Sequence, residues 1–254
     1  MTSSTTPEII YPESDGLPLA DNTVQFRLIT VIVWGLADLY KDDPNVFVAG
    51  DLFWYPQYRQ PWVKQAPDAM VVFGCPPGDR RSYKQWEEDN IPPQVVFEIA
   101  SPSNSIKELE GTKLEFYTQF GVEEYYVYNP DTGRLKGWLR SGQILTPIKL
   151  MEGWVSPRLG VRFEKEGTEL QLYRPDGERF VTPIEIRAQR QQERQRAEVA
   201  EQRADIAEEE RNTIAQQQLA AIPKLLAMGL TTAQVAEALS LPLDTVEQFL
   251  DPGS

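Results

Sequence analysis

Histidine is absent from this chain of 254 residues, and cysteine occurs once, at Cys75. Without histidine, the chain cannot contain a serine–histidine–aspartate triad, a histidine general base or a histidine-containing zinc site. A single cysteine also excludes an internal disulfide and an all-cysteine zinc site, and it fits a reducing compartment. Any metal chemistry must therefore use carboxylate and carbonyl oxygens, which favour hard ions such as Mg²⁺ or Mn²⁺.

Long apolar runs and positive charge are also scarce. The best apolar run, residues 28–39, is shorter than the roughly 18 residues that a membrane span needs. The N-terminus has neither the basic stretch nor the apolar core of an export signal, so we expect a cytoplasmic protein with no membrane segment. The net charge of −13 counts against nucleic-acid binding unless the protein carries a local basic surface.

The order of predicted elements indicates an α/β (α+β) fold around a mixed sheet. Residues 1–20 predict an extended lead-in, and Asp21, Asn22 and Thr23 offer caps for a helix that reaches about residue 40. A polar loop is expected at 74–93, and a second helix at 105–120. The strand patterns lie at 46–55, 69–73, 94–100, 124–128, 135–140, 143–148, 158–163 and 169–173.

The composition changes near Pro183 and predicts a long helix over residues 183–221. Its alanines at 197, 200, 204 and 207 form a narrow seam, which is a weak signal for a coiled coil, and a solvated helix fits equally well. Residues 222–254 predict a small helical tail that resembles a helix-turn-helix. Because Lys224 is the only basic residue there, we expect residues 184–250 to bind a protein partner or to dimerise rather than to read DNA.

Two carboxylates mark the first candidate site. Glu98 lies inside the apolar stretch VVFEIA, where a buried carboxylate is costly without a partner or a metal; the alternative is an edge strand with Glu98 in solvent. Asp68 opens the strand at 69–73 and could share one metal ion with Glu98, although Pro67-Asp68 is also a common turn pair. Asp51 could add an outer-shell carboxylate or a ligand to a second metal ion, or could simply belong to a turn.

Helix geometry brings Lys113 toward the same site. The strand runs about three residues, or roughly 10 Å, beyond Glu98, and eight helical residues return about 12 Å. Lys113 shares a helix face with the apolar residues Ile106, Leu109, Phe116 and Phe120. The spacing therefore predicts a lysine that points at the sheet, with a lysine that extends to solvent at the edge of that face as the alternative.

The loop at residues 79–86 combines basic and aromatic side chains. Arg80, Arg81 and Lys84 could contact phosphate, and Tyr83 or Trp86 could stack on a base. Three acidic residues, at 87–89, follow directly. The loop is therefore not a clean basic patch, and the sequence leaves open whether it contacts a nucleic acid.

Four spaced blocks resemble the Uma-type restriction endonuclease family of the PD-(D/E)xK nuclease superfamily. They are Pro67-Asp68, VVFEIASPS at 95–103, Lys113 with Tyr117, and GVEEYYV at 121–127. The resemblance covers residues 21–173 and implies a restriction-endonuclease-like domain at 21–182, with metal held by Asp68, Glu98 and the Ile99 carbonyl. The wider superfamily places its lysine two residues after the acid, where this chain has Ala100; the resemblance implies that Lys113 replaces it from the following helix.

The resemblance implies a magnesium- or manganese-dependent endonuclease acting on DNA. Asp68 and Glu98 would hold the metal, and Lys113 would position the attacking water and offset charge on the phosphate. The same residues could instead cleave RNA or a nucleotide. A different class also fits the acidic charge: a nuclease-like fold retained as a protein-interaction scaffold.

Overall fold

The computed structural model describes residues 9–14, 16, 18–102 and 104–250. Parts of the predicted lead-in (residues 1–8, 15 and 17), Ser103 of the VVFEIASPS block and residues 251–254 lie outside the described residues. The chain divides into two compact units, Met1–Ile186 and Arg187–Ser254, while the four segments inferred above stay predictions of domain organisation. Within the described residues, no helix combines the length and apolar character that a membrane crossing requires.

The first helix, α1 (Thr23–Leu39), begins where its capping residues predicted. Asn22 Oδ1 accepts the backbone N–H of Gln25 at 2.9 Å, which satisfies one of the unpaired donors at the helix start. Apolar residues spaced three and four apart form the buried face that packs on the sheet: Leu28, Ile29, Ile32 and Leu36.

Six strands form one mixed sheet in the order β1-β3-β5-β6-β7-β8. Strands β5 and β6 are parallel, and the other neighbours in this sheet are antiparallel. Two short pairs, β2 with β4 and β9 with β10, lie outside it. The strands are β1 (Val46–Ala49), β2 (Trp54–Tyr55), β3 (Ala69–Phe73), β4 (Tyr83–Lys84), β5 (Val95–Ile99), β6 (Glu124–Asn129), β7 (Arg134–Ser141), β8 (Ile144–Pro147), β9 (Arg162–Glu166) and β10 (Glu169–Tyr173).

The parallel pair requires a crossover, and three helical pieces supply it: α2 (Ile106–Glu108), a π-helical turn (Leu109–Lys113) and α3 (Leu114–Gln119). They cover one face of the sheet, and α1 covers the other. The predicted mixed sheet with flanking helices is therefore confirmed. The single helix expected at 105–120 is instead interrupted by the π-helical turn.

Three further local expectations were wrong. The strand predicted at 46–55 divides into β1 and β2, because Asp51 turns the chain with a left-handed φ of 50°. The loop predicted at 74–93 contains β4 and a 3₁₀ turn at Gln85–Glu87. The strand predicted at 158–163 begins only at Arg162, after a turn through Gly160 (φ 66°).

The second unit contains most of helix α4 (Pro183–Ala227), followed by α5 (Thr232–Leu239) and α6 (Leu243–Leu250). Helix α4 continues through Pro223, beyond the end that was predicted near residue 221, and its Ile222 packs with Val235 and Val246 in a small core. Thr231 caps α5, and its hydroxyl accepts the backbone N–H of Gln234. Side chains at 187–217 are exposed, so the coiled coil and the partner of residues 184–250 stay predictions.

Candidate active site

Asp68 directly precedes β3, and Glu98 lies on the neighbouring strand β5. In the antiparallel pair of β3 and β5, Ala69 lies opposite Phe97. This pairing brings the adjacent residues, Asp68 and Glu98, close together. Asp68 Oδ2 accepts the backbone N–H of Ile99 at 2.6 Å, which fixes the carboxylate at the end of β5.

Glu98 is fully buried, and both of its oxygens have partners. Its Oε2 accepts a hydrogen bond from Lys113 Nζ at 2.9 Å, and its Oε1 accepts one from the Tyr117 hydroxyl at 2.5 Å. Because β5 lies between β3 and β6, the alternative of an edge strand with Glu98 in solvent is wrong. The buried charge is compensated by one cation and one neutral donor, as burial of a carboxylate requires.

The π-helical turn places Lys113 over the sheet. Such turns are rare and occur frequently at functional sites. Leu109, Lys113 and Tyr117 are the buried residues of the crossover, so the lysine lies on the same face as two groups that contact the sheet. Its side chain is 8% exposed, which excludes the alternative of a lysine that extends to solvent.

The pKa shifts follow from burial and from this cluster of charges. Burial, the Glu98 carboxylate and, to a smaller extent, Asp51 raise the pKa of Asp68 well above its usual value, against the opposing effects of the Ile99 N–H and Lys113. Burial lowers the pKa of Lys113, but Glu98 outweighs it and the net shift is upward, so the side chain is an ammonium at neutral pH. Burial and Glu98 also raise the pKa of Tyr117, which keeps its hydroxyl a donor.

Gln25 of α1 reaches the carbonyl that the family resemblance implied as a metal ligand. Its Nε2 donates to the Ile99 oxygen at 3.3 Å, and its Oε1 accepts the N–H of Asp21 at 2.8 Å. Gln25 and Tyr117 were not among the predicted site residues. A signal existed for each, because Gln25 is a polar residue on the apolar stripe of α1 and Tyr117 follows Lys113 by one helical turn.

Asp51 lies beside this cluster at the end of β1. Its backbone N–H donates to the Pro67 carbonyl at 2.9 Å, directly before Asp68. Its side chain is exposed, unlike those of Asp68 and Glu98, and its charge contributes to the raised pKa of Asp68. The Asp51 carboxylate therefore acts on Asp68 through its charge, from the side of the cluster that faces solvent.

The basic loop residues lie in different surroundings. Arg80 is held by Glu88, to which its Nε donates at 2.7 Å, and its guanidinium lies 4.1 Å from the centre of the Phe47 ring. Arg81 pairs with Glu13, and Lys84 pairs with Glu87. A role for Arg80, Arg81 and Lys84 in nucleic-acid contact stays a prediction.

The two aromatic residues of this loop also differ. Tyr83 is buried and its hydroxyl donates to the Ile91 carbonyl at 2.7 Å, so the suggestion that Tyr83 stacks on a base is wrong. Trp86 is half-buried and contacts Tyr11 and Tyr58.

Potential metal donors are few. In the described part of the chain, no group of three or more Asp, Glu or Cys side chains is arranged to hold a metal ion. A metal at this site would depend on the Asp68 and Glu98 carboxylates and on a main-chain carbonyl, that of Ile99.

Comparison with known proteins gives a family match. The model of the Uma2 family, described as "Putative restriction endonuclease", matches residues 13–162. No curated protein matches the chain. Among solved structures, a putative nuclease belonging to DUF820 from Anabaena variabilis is 14% identical, with a TM-score of 0.41; the match covers 54% of this chain and 72% of that one.

Proposed function

Because the chain belongs to the Uma2 family of putative restriction endonucleases, we propose that it is a divalent-metal-dependent endonuclease that hydrolyses phosphodiester bonds in DNA. Family membership supports a nuclease-like function; the metal, the substrate and the residues are our proposal. One observation carries it: the Lys113 ammonium donates to Glu98, and Asp68 accepts the backbone N–H of Ile99, the residue directly after Glu98.

The donor set fits a hard divalent ion. Asp68 and Glu98 would hold Mg²⁺ or Mn²⁺ together with the Ile99 carbonyl, all through oxygen atoms. Burial and the neighbouring Glu98 raise the pKa of Asp68, and a bound cation would offset this cost of keeping two carboxylates together. When bound, such an ion polarises the scissile phosphate and lowers the pKa of an attacking water.

The chain's own residues supply orientation and charge. We assign Lys113 to the phosphate, where its ammonium would offset the negative charge that develops on the oxygens as the bond to the leaving group breaks. Tyr117 holds the second oxygen of Glu98 and so fixes the direction of that carboxylate. Asp51, at the solvent side, would act on the site through its charge rather than by direct coordination.

An acidic protein that cuts DNA needs a local basic surface, and one lies close to the site. Glu98 is paired with Val127 on β6, which is paired in turn with Lys136 on β7. Two strand spacings place the Lys136 backbone about 10 Å from that of Glu98, on the same face. Lys136 lines a cleft of about 620 Å³ whose cations outnumber its acids: Arg134, Lys136, Lys149 and Lys165 against Glu110 and Glu152.

Plasmid nicking with Mg²⁺, with Mn²⁺ and with EDTA tests the proposal. We expect nicking only with metal, and a loss of at least about 100-fold in Asp68→Asn and Lys113→Met protein that tryptophan fluorescence shows to be folded, because the first would lose a metal ligand and the second the cation assigned to the phosphate. Asp131→Asn and Lys41→Met make the same charge changes at exposed positions and should cut normally. Nicking that survives both site substitutions would refute the assignment of residues.

Separate experiments test the role of the cleft and the identity of the substrate. Replacing Lys149 and Lys165 together with glutamine should weaken DNA binding in EDTA and reduce its salt dependence by about two phosphate contacts, roughly 0.9 in slope for each. Single-stranded RNA of the same sequence serves as the competing substrate. Cleavage of RNA in preference to DNA would keep the site and change the substrate.

The scaffold alternative has one observation in its favour, namely that Glu98 is fully buried and both of its oxygens are already bonded. A protein-interaction role would be supported by a wild-type protein that shows neither nicking nor any shift in melting temperature with Mg²⁺ or Mn²⁺. Such a protein would retain the nuclease fold without its metal chemistry.

A further inference from the structure

Residues 52–67, here called the aromatic loop, differ in composition from the rest of this acidic chain. The segment LFWYPQYRQPWVKQAP holds five aromatic residues in sixteen, although aromatics make up 10% of the whole chain. It contains two cations, Arg59 and Lys64, and no acidic residue, in a protein whose net charge is −13. A segment with this positive charge and these rings is suited to bind a partner that is itself anionic and aromatic.

The aromatic loop begins and ends at the candidate active site. It leaves the sheet after Asp51 and returns to it at Asp68, and the two ends are joined by the hydrogen bond from the Asp51 N–H to the Pro67 carbonyl. Two further backbone bonds, between Trp54 and Gln65, close its base at 2.8 and 3.2 Å. Both ends of the aromatic loop therefore lie directly beside Asp68.

Several rings of this region are exposed and in contact. Trp62 is 73% exposed and Tyr58 is 60% exposed, and a contiguous exposed apolar patch marks an interaction site. The Tyr58 ring lies 5.5 Å from Trp86, and Trp86 lies 5.0 Å from Tyr11. Tyr11 also accepts the backbone N–H of Arg59 through its hydroxyl at 2.7 Å, so the loop is joined to the N-terminal segment.

Cations alternate with these rings. Lys64 Nζ lies 3.7 Å from the centre of the Phe53 ring, and the Arg59 guanidinium lies 5.5 Å from that of Tyr58. In the described ranges of the chain, no carboxylate forms an ion pair with Arg59 or Lys64. Their charge is therefore available to an incoming phosphate. The basic-aromatic surface consists of Tyr11, Tyr58, Arg59, Trp62, Lys64, Lys84 and Trp86.

We propose that the basic-aromatic surface binds single-stranded DNA, with bases stacked on Trp62 and Tyr58 and phosphates paired with Arg59 and Lys64. Exposed rings interleaved with cations are the arrangement that single-strand binders use, because every unpaired base offers a ring face. In a duplex those faces are already stacked on one another. The inference rests on the proposed function, and it assigns the enzyme a preference for unpaired DNA next to the scissile phosphate.

The test measures binding of the protein to a labelled 20-nucleotide oligo(dT) and to a duplex of equal length, by fluorescence anisotropy in EDTA. Binding without metal is independent of cleavage, so failure here and failure of the nuclease proposal are separate outcomes. We expect the single strand to bind more tightly than the duplex. Trp62→Ala and Tyr58→Ala should each weaken single-strand binding by about 5- to 150-fold, the range measured for loss of one stacked base.

Control substitutions at other exposed positions accompany the tryptophan change and the charge changes. Trp34→Ala removes a tryptophan that is 56% exposed on α1 and should bind as the wild type does. Arg59→Gln with Lys64→Gln should lower the salt slope of single-strand binding by about 1.4, or roughly 0.7 per phosphate; Lys41→Gln should leave it unchanged. Wild-type affinity in Trp62→Ala, an effect no larger than that of Trp34→Ala, or duplex binding as tight as single-strand binding would overturn the proposal.

Discussion

Lys113 and Glu98 form a buried ion pair, with Nζ 2.9 Å from Oε2, although fifteen residues separate them in the chain. The carboxylate comes from the centre of the sheet, and the ammonium comes from the π-helical turn that follows. Since both groups are buried, each charge needs the other to compensate it. A substitution of either residue should therefore change the stability of the fold as well as the proposed chemistry.

Lys113→Met should therefore destabilise the first unit by about 3–5 kcal/mol, since it leaves an uncompensated buried charge on Glu98. The measurement is urea unfolding followed by tryptophan fluorescence, which reports this unit because all six tryptophans lie before residue 187. Lys136→Met, in the more exposed pair with Glu110, should cost only about 0–1 kcal/mol. The double change Glu98→Gln with Lys113→Met should cost less than the sum of the single changes; simple additivity would contradict the pairing.

Tyr117→Phe removes the donor to the other Glu98 oxygen while keeping the ring. We expect a loss of about 1–3 kcal/mol in the free energy of unfolding, because a charged, buried acceptor is left without its partner. The matched control is Tyr125→Phe, a neighbouring buried ring whose hydroxyl donates to the neutral carbonyl of Leu109 at 3.0 Å. If Tyr125→Phe proved the costlier of the two, the hydroxyl of Tyr117 would have no special role at Glu98.

Asp68→Asn should raise the melting temperature of the metal-free protein. The amide oxygen can still accept the Ile99 N–H, while the negative charge beside Glu98 and Asp51 disappears. With excess Mg²⁺ the order should reverse: a ligand present at 100 times its dissociation constant stabilises the wild type by about 2.7 kcal/mol, and the variant loses that gain. Calorimetry with and without metal measures both effects, and Asp131→Asn, in an exposed turn, should behave like the wild type throughout.

Cys75 should react slowly with thiol reagents until the solution becomes strongly alkaline. Burial, followed by its hydrogen bond to Glu88, raises the pKa of its thiol from 9.0 to about 11. The neutral thiol is thus favoured in the folded state, and that contribution to stability is fully present below pH 9.0 and lost as the pH rises through about 11. At pH 8 the thiolate population, and with it the rate of alkylation, should be about 100-fold lower than for an unshifted thiol.

Reaction of native protein with iodoacetamide across pH 8–11, with unfolded protein as the reference, measures this shift. Rapid labelling of the native thiol at pH 8 would show that Cys75 is not held in the buried contact with Glu88 and Arg80. Replacement of Glu88 by glutamine should lower the pKa of Cys75, because it removes a negative charge next to the sulfur.

Local patterns predicted the elements with strong periodicity or clear caps. The apolar stripe of α1, the capping residue Asn22 and the limits of β3 and β10 follow from short-range chemistry, and the structure has them in those places. Patterns failed where the backbone departs from regular geometry. The left-handed Asp51 divides the expected strand at 46–55, and the π-helical turn interrupts the expected helix at 105–120, and neither has a reliable sequence signature.

The candidate site, too, follows partly from the sequence and partly from the tertiary structure. The sequence by itself determined which residue types were available: no histidine, one cysteine, a carboxylate inside an apolar strand and a lysine on the helix that follows. Only the tertiary structure decided their partners. Asp68 comes close to Glu98 through the pairing of β3 with β5, Gln25 reaches Ile99 from 74 residues away, and the aromatic loop closes beside Asp51. These contacts depend on how distant strands and helices pack, and no local pattern of residues encodes that packing.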